Sequence, residues 1–247
     1  MARRATKIAE ERSTKENVLL LDAGDSLVGD QDPARTTQGR TSVDVMNRLG
    51  YDAMTLGPND LALGLAVLRQ RMAEAQFAVL SANAIEKATG ELVAAPYVVA
   101  ELAGYRVAII GLSGGESAAE IVVQDPLATA QAVVAEVKGQ ADVIILLSHA
   151  GPEMDLKIAD TVPGIAAIVS GGPGAQATPI VSAVTGTPIY HVDAANPGHA
   201  GRRLGAATLV INPDGTLKSQ TWQPWTLGPE IAADPIMAAW VAEQLRQ

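Results

Sequence analysis

The stretch Val18-Leu19-Leu20-Leu21-Asp22-Ala23-Gly24-Asp25 decides how the rest of this 247-residue chain is read. Its apolar residues run without alternation, as in a strand covered on both faces. They empty into a polar, glycine-containing turn, the kind of strand end where α/β sheets place their sites. Upstream, Ala5, Ile8 and Ala9 fall at helical spacing, so residues 1–16 read as an amphipathic helix. Downstream the pattern recurs. A helix at 42–49 is stopped by Gly50, and a strand at 53–56 ends in Gly57-Pro58-Asn59-Asp60. A helix at 65–75 then leads to a strand at 77–80 that ends in Ser81-Ala82-Asn83. Strands alternating with helices predict an α/β architecture with a largely parallel core.

The middle of the chain differs. Residues 97–102 and 105–110 flank Ala103-Gly104, which reads as a two-residue hairpin turn. A helix at 127–138 precedes the apolar run 143–147, which delivers Ser148-His149, and 165–169 ends at Ser170-Gly171-Gly172. Beyond it, 181–184, 188–192, 204–211 and 217–222 read as consecutive strands with antiparallel punctuation, so the sheets are mixed. A helix at 235–245 closes the chain. With no composition break, linker or repeat, residues 1–247 are expected to form one domain, although length alone allows about 1.6.

Composition narrows the function classes. A hydrophobic fraction of 48% is ample for a core, yet no apolar run approaches the roughly 18–20 residues that cross a bilayer, so no membrane span is expected. Acidic residues outnumber basic ones by 27 to 18, and a net charge of −9 argues against nucleic acid as a partner. Aromatic residues make up 3%, with a single Phe, which leaves little for stacking bases. The lack of cysteine excludes disulfides and thiolate metal sites, and three histidines disfavour a His-rich centre. Arg3, Arg4 and Lys7 are followed by no apolar run, so no secretory signal is read.

The strand ends supply Asp22, Asp25, Asn59, Asp60, Asn83, His149 and the Gly171-Gly172-Pro173-Gly174 loop. An Asp, an Asn and a His converging there suit a hard or borderline divalent metal. The competing reading is that Asp and Asn end strands because they satisfy turns and caps. Gly111-Leu112-Ser113-Gly114-Gly115-Glu116 fails the spacing of a dinucleotide-binding turn and reads as a plain loop. His191, Asp193 and His199 have a spacing that could join His149 at a metal, against the commoner outcome of a solvated loop. Arg202-Arg203 reads as a surface charge pair. Ser148 and His149 are no nucleophile–base pair, because strand neighbours point to opposite faces.

These segments carry a resemblance. Arg3-Arg4-Ala5-Thr6, 18–29 (VLLLDAGDSLVG), 49–57 (LGYDAMTLG), Leu80-Ser81-Ala82-Asn83, Tyr97-Val98-Val99, 107–112 (VAIIGL), Leu146-Leu147-Ser148-His149 and 168–172 (IVSGG) occur in family order and spacing. Together they resemble the N-terminal domain of the bacterial 5′-nucleotidase family, a branch of the calcineurin-like metallophosphoesterases. The resemblance implies an α/β fold of metallophosphoesterase type, a sandwich of two mixed β-sheets flanked by helices. It also implies a two-metal site whose paired ions activate a water for in-line attack on phosphorus.

Motif by motif the chain departs from that pattern. The family opens with a strand ending in Asp-x-His, and this chain begins within the helix that would follow, so the first strand and its ligands are missing. Asp25 matches the carboxylate that bridges the two ions. The Gly-Asn-His-Glu motif is replaced by Gly57-Pro58-Asn59-Asp60, in which Pro58 stands for a ligand Asn and Asn59 for the catalytic His. Ser148-His149 keeps the His ligand, whereas Gly-His-x-His has become Gly172-Pro173-Gly174-Ala175. Asp25 and His149 are thus remnant ligands, fewer than the about three protein ligands of an open catalytic zinc site. No catalytic residue is expected. No cofactor is expected either, or at most a single divalent ion (zinc, manganese or iron).

The expectation is a degenerate, non-hydrolytic relative that serves as a binding or assembly subunit, with a protein partner or a homo-oligomer. The alternative is a weak metal-dependent phosphohydrolase using Asp25, His149 and Asn59. The family's C-terminal nucleotide-specificity domain has no counterpart in the sequence. The family is usually exported, so the missing strand and signal both fit a start lying downstream of the real one. Otherwise another segment or a partner fills the gap.

Overall fold

The computed structural model describes residues 1–28, 33–116, 118–172, 178–192 and 202–246. Helix α1 (Ala2–Thr14) leads to β1 (Leu21–Asp22), then α2 (Arg40–Leu49), β2 (Ala53–Thr55), α3 (Pro58–Leu61), α4 (Leu65–Glu74) and β3 (Ala78–Leu80). Gly50 ends α2 in the left-handed conformation, with φ of 68°, as its place after the last apolar residue requires. Strands β1, β2 and β3 pair in that order and all in parallel, with helices as the crossovers.

The second sheet has six strands in the order β10-β11-β9-β8-β6-β5. It is built from β5 (Tyr97–Leu102), β6 (Tyr105–Leu112), β8 (Val143–Ser148), β9 (Ala167–Ser170), β10 (Ile180–Val181) and β11 (Pro188–Tyr190). Helices α5 (Pro126–Val137) and α6 (Pro152–Thr161) cross over between its parallel strands. The β5–β6 hairpin turns at Ala103-Gly104, both at positive φ (54° and 82°), as a tight right-twisted turn demands. Short strands β4 (Ala84–Glu86) and β7 (Ile121–Val123) pair with each other. The long antiparallel hairpin of β12 (Arg203–Ile211) and β13 (Leu217–Thr226) precedes α7 (Pro235–Gln244).

Residue parity along the strands explains the layering. In β8, Val143, Ile145 and Leu147 join a cluster with Ala53 and Leu80 of the three-stranded sheet, whereas Ile144 and Leu146 join one beneath α5 and α6. Strand β6 divides in the same way, Val107 and Ile109 inward against Ala108, Ile110 and Leu112 outward. A third cluster, with Leu20, Val43, Met46, Met54, Leu56 and Leu68, packs the outer face of β1–β3 against α1, α2, α4 and α7. The result is a sandwich of two facing sheets with helices on both outer faces, the expected class.

Two expectations need correction. The apolar run at 18–21 forms regular strand only from Leu21. Val18 and Leu19 are half-buried, at the edge of the three-stranded sheet among the described residues. The segment 181–184 is mostly turn, since the Ser182 hydroxyl accepts the amides of Val184 and Thr185. Helix α6, whose apolar stripe is weak, and the short pair β4–β7 went unread.

Candidate functional site

The loops leaving β1, β2, β8 and β9 meet at the C-terminal ends of these parallel strands. Asp60, in the first turn of α3, ties two of them together. Its buried carboxylate accepts the amides of Asp25 at 2.8 Å, Gly57 at 2.9 Å and Leu27 at 3.0 Å. Burial, reinforced by the charge of Asp25, pushes its pKa up to about 7 against those three donors.

Asp25 itself sits at φ 61°, a left-handed conformation that Asp tolerates better than most residues. Its Oδ1 accepts the Asn59 amide at 2.7 Å and its Oδ2 accepts Asn59 Nδ2 at 2.9 Å. The same Oδ2 lies 3.3 Å from His149 Nε2. His149 Nδ1 donates to the Ala23 carbonyl at 2.6 Å, which leaves Nε2 to face the carboxylate. Burial works against the charged imidazole. The hydrogen bond and charge of Asp25, the Ala23 carbonyl and Asp60 outweigh it, so the His149 pKa sits above the ordinary histidine value.

Behind His149 lies a buried carboxylate that sequence reasoning missed. Ser148 Oγ donates to Asp155 at 2.5 Å, and Ser170 Oγ donates to its other oxygen. Burial raises the Asp155 pKa to about 6 against these hydroxyls. Ser148 thus points away from the site, as the alternation of strand faces required. Two glycines let the loops close. A Cβ on Gly57 would stand 2.2 Å from Asp25 Oδ1, and one on Gly171 2.3 Å from the Ala23 carbonyl. The signals for this shell were the spacing of Asp60 after Gly57 and of Asp155 after Ser148, neither of which is distinctive.

Of the other candidates, Asn83 clamps Ser113, with its Oδ1 accepting the Ser113 amide at 2.8 Å. Gly111 and Leu112 end β6, residues 113–116 form the loop that follows it, and a Cβ on Gly114 would meet the His149 backbone. Asp22 is held by the Gly24 amide and the Ser26 hydroxyl, with burial raising its pKa. His191 is buried, with Nε2 3.0 Å from the Gly172 carbonyl. Asp193, His199, Pro173, Gly174 and Ala175 lie outside the described residues.

Among the described residues the donor set does not fit a pair of ions. Asp25, Asn59 and His149 converge, but Pro58 opens α3 with no side-chain donor. Among the described residues no group of three His, Asp or Glu side chains could hold an ion. Both Asp25 oxygens are already engaged by protein donors. No helix among the described residues is long and apolar enough to cross a membrane.

No family model matches the chain. Individual proteins do. It is 30% identical over 244 residues to a probable 5′-nucleotidase of Treponema pallidum, covering 88% of this chain and 40% of that protein. It is 32% identical over 211 residues to the trifunctional nucleotide phosphoesterase YfkN of Bacillus subtilis, covering 69% of this chain and 14% of that one. The crystal structure of a 5′-nucleotidase precursor from Thermus thermophilus superposes with a TM-score of 0.88 at 25% identity, over 99% of this chain and 52% of its own. The chain thus spans less than half the length of these two curated relatives. On shared sequence and a shared metallophosphoesterase-type sandwich, it belongs to the 5′-nucleotidase family of calcineurin-like phosphoesterases, matching the N-terminal domain.

Proposed function

We propose that this chain is a degenerate family member that has lost two-metal phosphoester hydrolysis and acts as a binding or assembly subunit. One observation carries the reading: the carboxylate matching the bridging ligand, Asp25, is engaged on both oxygens by Asn59 and faces His149 at 3.3 Å. An Asn amide and an imidazole face the carboxylate that would bridge the ions. Two-metal catalysis requires ions about 4 Å apart on a shared carboxylate, and Asp25 with His149 supplies too few donors for that. The reading allows at most one labile zinc, manganese or iron ion.

Elemental analysis after metal loading and desalting, combined with hydrolysis of a 5′-nucleotide, tests the loss of chemistry. Less than one ion per chain and no chelator-sensitive turnover are expected. Stoichiometric metal with chelator-sensitive turnover would overturn the reading in favour of a reduced-site phosphohydrolase. Size-exclusion of native extracts tests the assembly role, where migration as a bare 25.5 kDa species counts against it.

A further inference from the structure

Strand β5 closes one end of the six-stranded sheet and pairs there with β6 alone. The even-numbered residues of β6 bond toward β8: Asp142 N donates to the Arg106 carbonyl at 2.8 Å, and His149 N to the Leu112 carbonyl at 2.9 Å. Its odd-numbered residues therefore face β5, as Gly111 N does in donating to the Pro96 carbonyl at 3.1 Å. Val98 lies opposite Ile109 and Ala100 opposite Val107, so the even-numbered residues of β5 complete that ladder. Tyr97, Val99 and Glu101 thus aim N–H and C=O outward. Just upstream the same edge is in use, where the Ala95 carbonyl accepts Ser81 N at 2.9 Å. Past that point no described strand pairs with it.

The side chains of β5 sort by face. Val98 and Leu102 pack between the sheets, whereas Tyr97 packs on the α5 side, where its hydroxyl donates to Glu136 at 2.9 Å. Val99 and Glu101 share the Tyr97 face by alternation. Helix α5 leaves both in solvent, Val99 at 38% exposure. The charge on this face is one-sided. Arg106, across the ladder from Glu101, is taken by Asp142 at 2.8 and 3.2 Å, and among the described residues Glu101 has no cation partner. Residues 97–102 contain no proline or lysine and their register has no bulge, so the edge lacks the usual devices that keep a strand from adding to it.

We propose that the β5 edge takes up an extended basic segment of a partner protein, which adds a strand to the six-stranded sheet. Main-chain hydrogen bonds to Tyr97, Val99 and Glu101 supply affinity. The α5 face selects the sequence: a lysine or arginine opposite Glu101, an apolar residue opposite Val99, and a second basic residue beside Tyr97, where Glu136 brings a carboxylate. This basic-apolar-basic pattern at alternate positions reads the same in either chain direction. A second copy of this chain fits less well, because it brings a charge of −9 and another Glu101. The inference rests on the binding role proposed above and names the chemistry of the partner. Its test reads strand capture alone, so it can fail while the loss of hydrolysis stands.

Hydrogen exchange of the whole chain tests it, with a short synthetic peptide as the probe: Val at its centre, Lys two positions to either side and Thr elsewhere. In the free protein the amides of Val99 and Glu101 should exchange faster than those of Val98 and Ala100. Millimolar peptide should slow the first pair at least tenfold, and the same peptide with Glu in place of Lys should not. Glu101→Lys should weaken the lysine peptide by about fivefold or more and improve the glutamate peptide, since a cross-strand charge pair is inverted. Val99→Pro removes only an outward N–H and should abolish the slowing at Glu101 with Tm unchanged. No slowing by the lysine peptide, equal slowing by both peptides, or slowing that grows with protein concentration in the absence of peptide would overturn the proposal, the last by giving the edge to a second copy.

Discussion

At the scale of single residues, the loops of the site are tied together by buried carboxylates. Asp60 is the pivot, because its two oxygens accept three backbone amides from two loops. Asp60→Asn keeps the shape but turns an NH2 group toward at least one of those amides. A buried donor left unpaired costs about 1–3 kcal/mol. Urea denaturation should show a loss of that size with an unchanged m-value, and a variant as stable as the parent would show that the clamp contributes nothing.

The same carboxylates set a pH dependence. Asp60 and Asp155 are raised from 3.8 to about 7 and about 6, so each binds a proton more tightly in the folded chain than in the unfolded one. Their contribution is fully present below about 4 and is lost as the pH rises through 6 and 7. His149 is raised as well, so its contribution is likewise lost on the alkaline side. The expected outcome is a Tm that falls steadily from pH 5 to pH 8 in scanning calorimetry at fixed ionic strength. A flat or rising Tm across that range would refute these assignments.

At the scale of elements, the hairpin turn offers a gain. Ala103 sits at φ 54°, where a Cβ is unfavourable and where Asn is tolerated. Ala103→Asn should stabilise the chain by about 0.5 kcal/mol, read as a rise of one or two degrees in Tm. A fall would mean that the turn is held by its flanking strands alone. Most elements were legible because each has a strong local signal. Gly50 stops α2, Ala103-Gly104 closes the hairpin, and the unbroken run at 143–147 marks a strand covered on both sides. Those that escaped notice lack one: α6 mixes apolar and charged residues, and β4 pairs with a strand 35 residues away, which no local pattern announces.

At the scale of the whole molecule, the sequence was informative about the scaffold and incomplete about the site. The clusters on either side of the six-stranded sheet follow from residue parity, which is local, so the sandwich could be read from the chain itself. Asp25 and His149 could be named as strand-end candidates, but not their 3.3 Å contact or the capture of Asp25 by Asn59, because those depend on how four loops close around Gly57 and Gly171. The shell of Asp60 and Asp155 was invisible for the same reason: buried carboxylates are recognised by what surrounds them, and that is a property of the fold.

The proposed loss of the paired-ion centre is open to one decisive observation. Crystals soaked in manganese and measured at an anomalous wavelength should show no ion, or one weakly occupied ion, beside Asp25, with its carboxylate still bonded to Asn59. Two strong peaks about 4 Å apart, bridged by Asp25, would refute it.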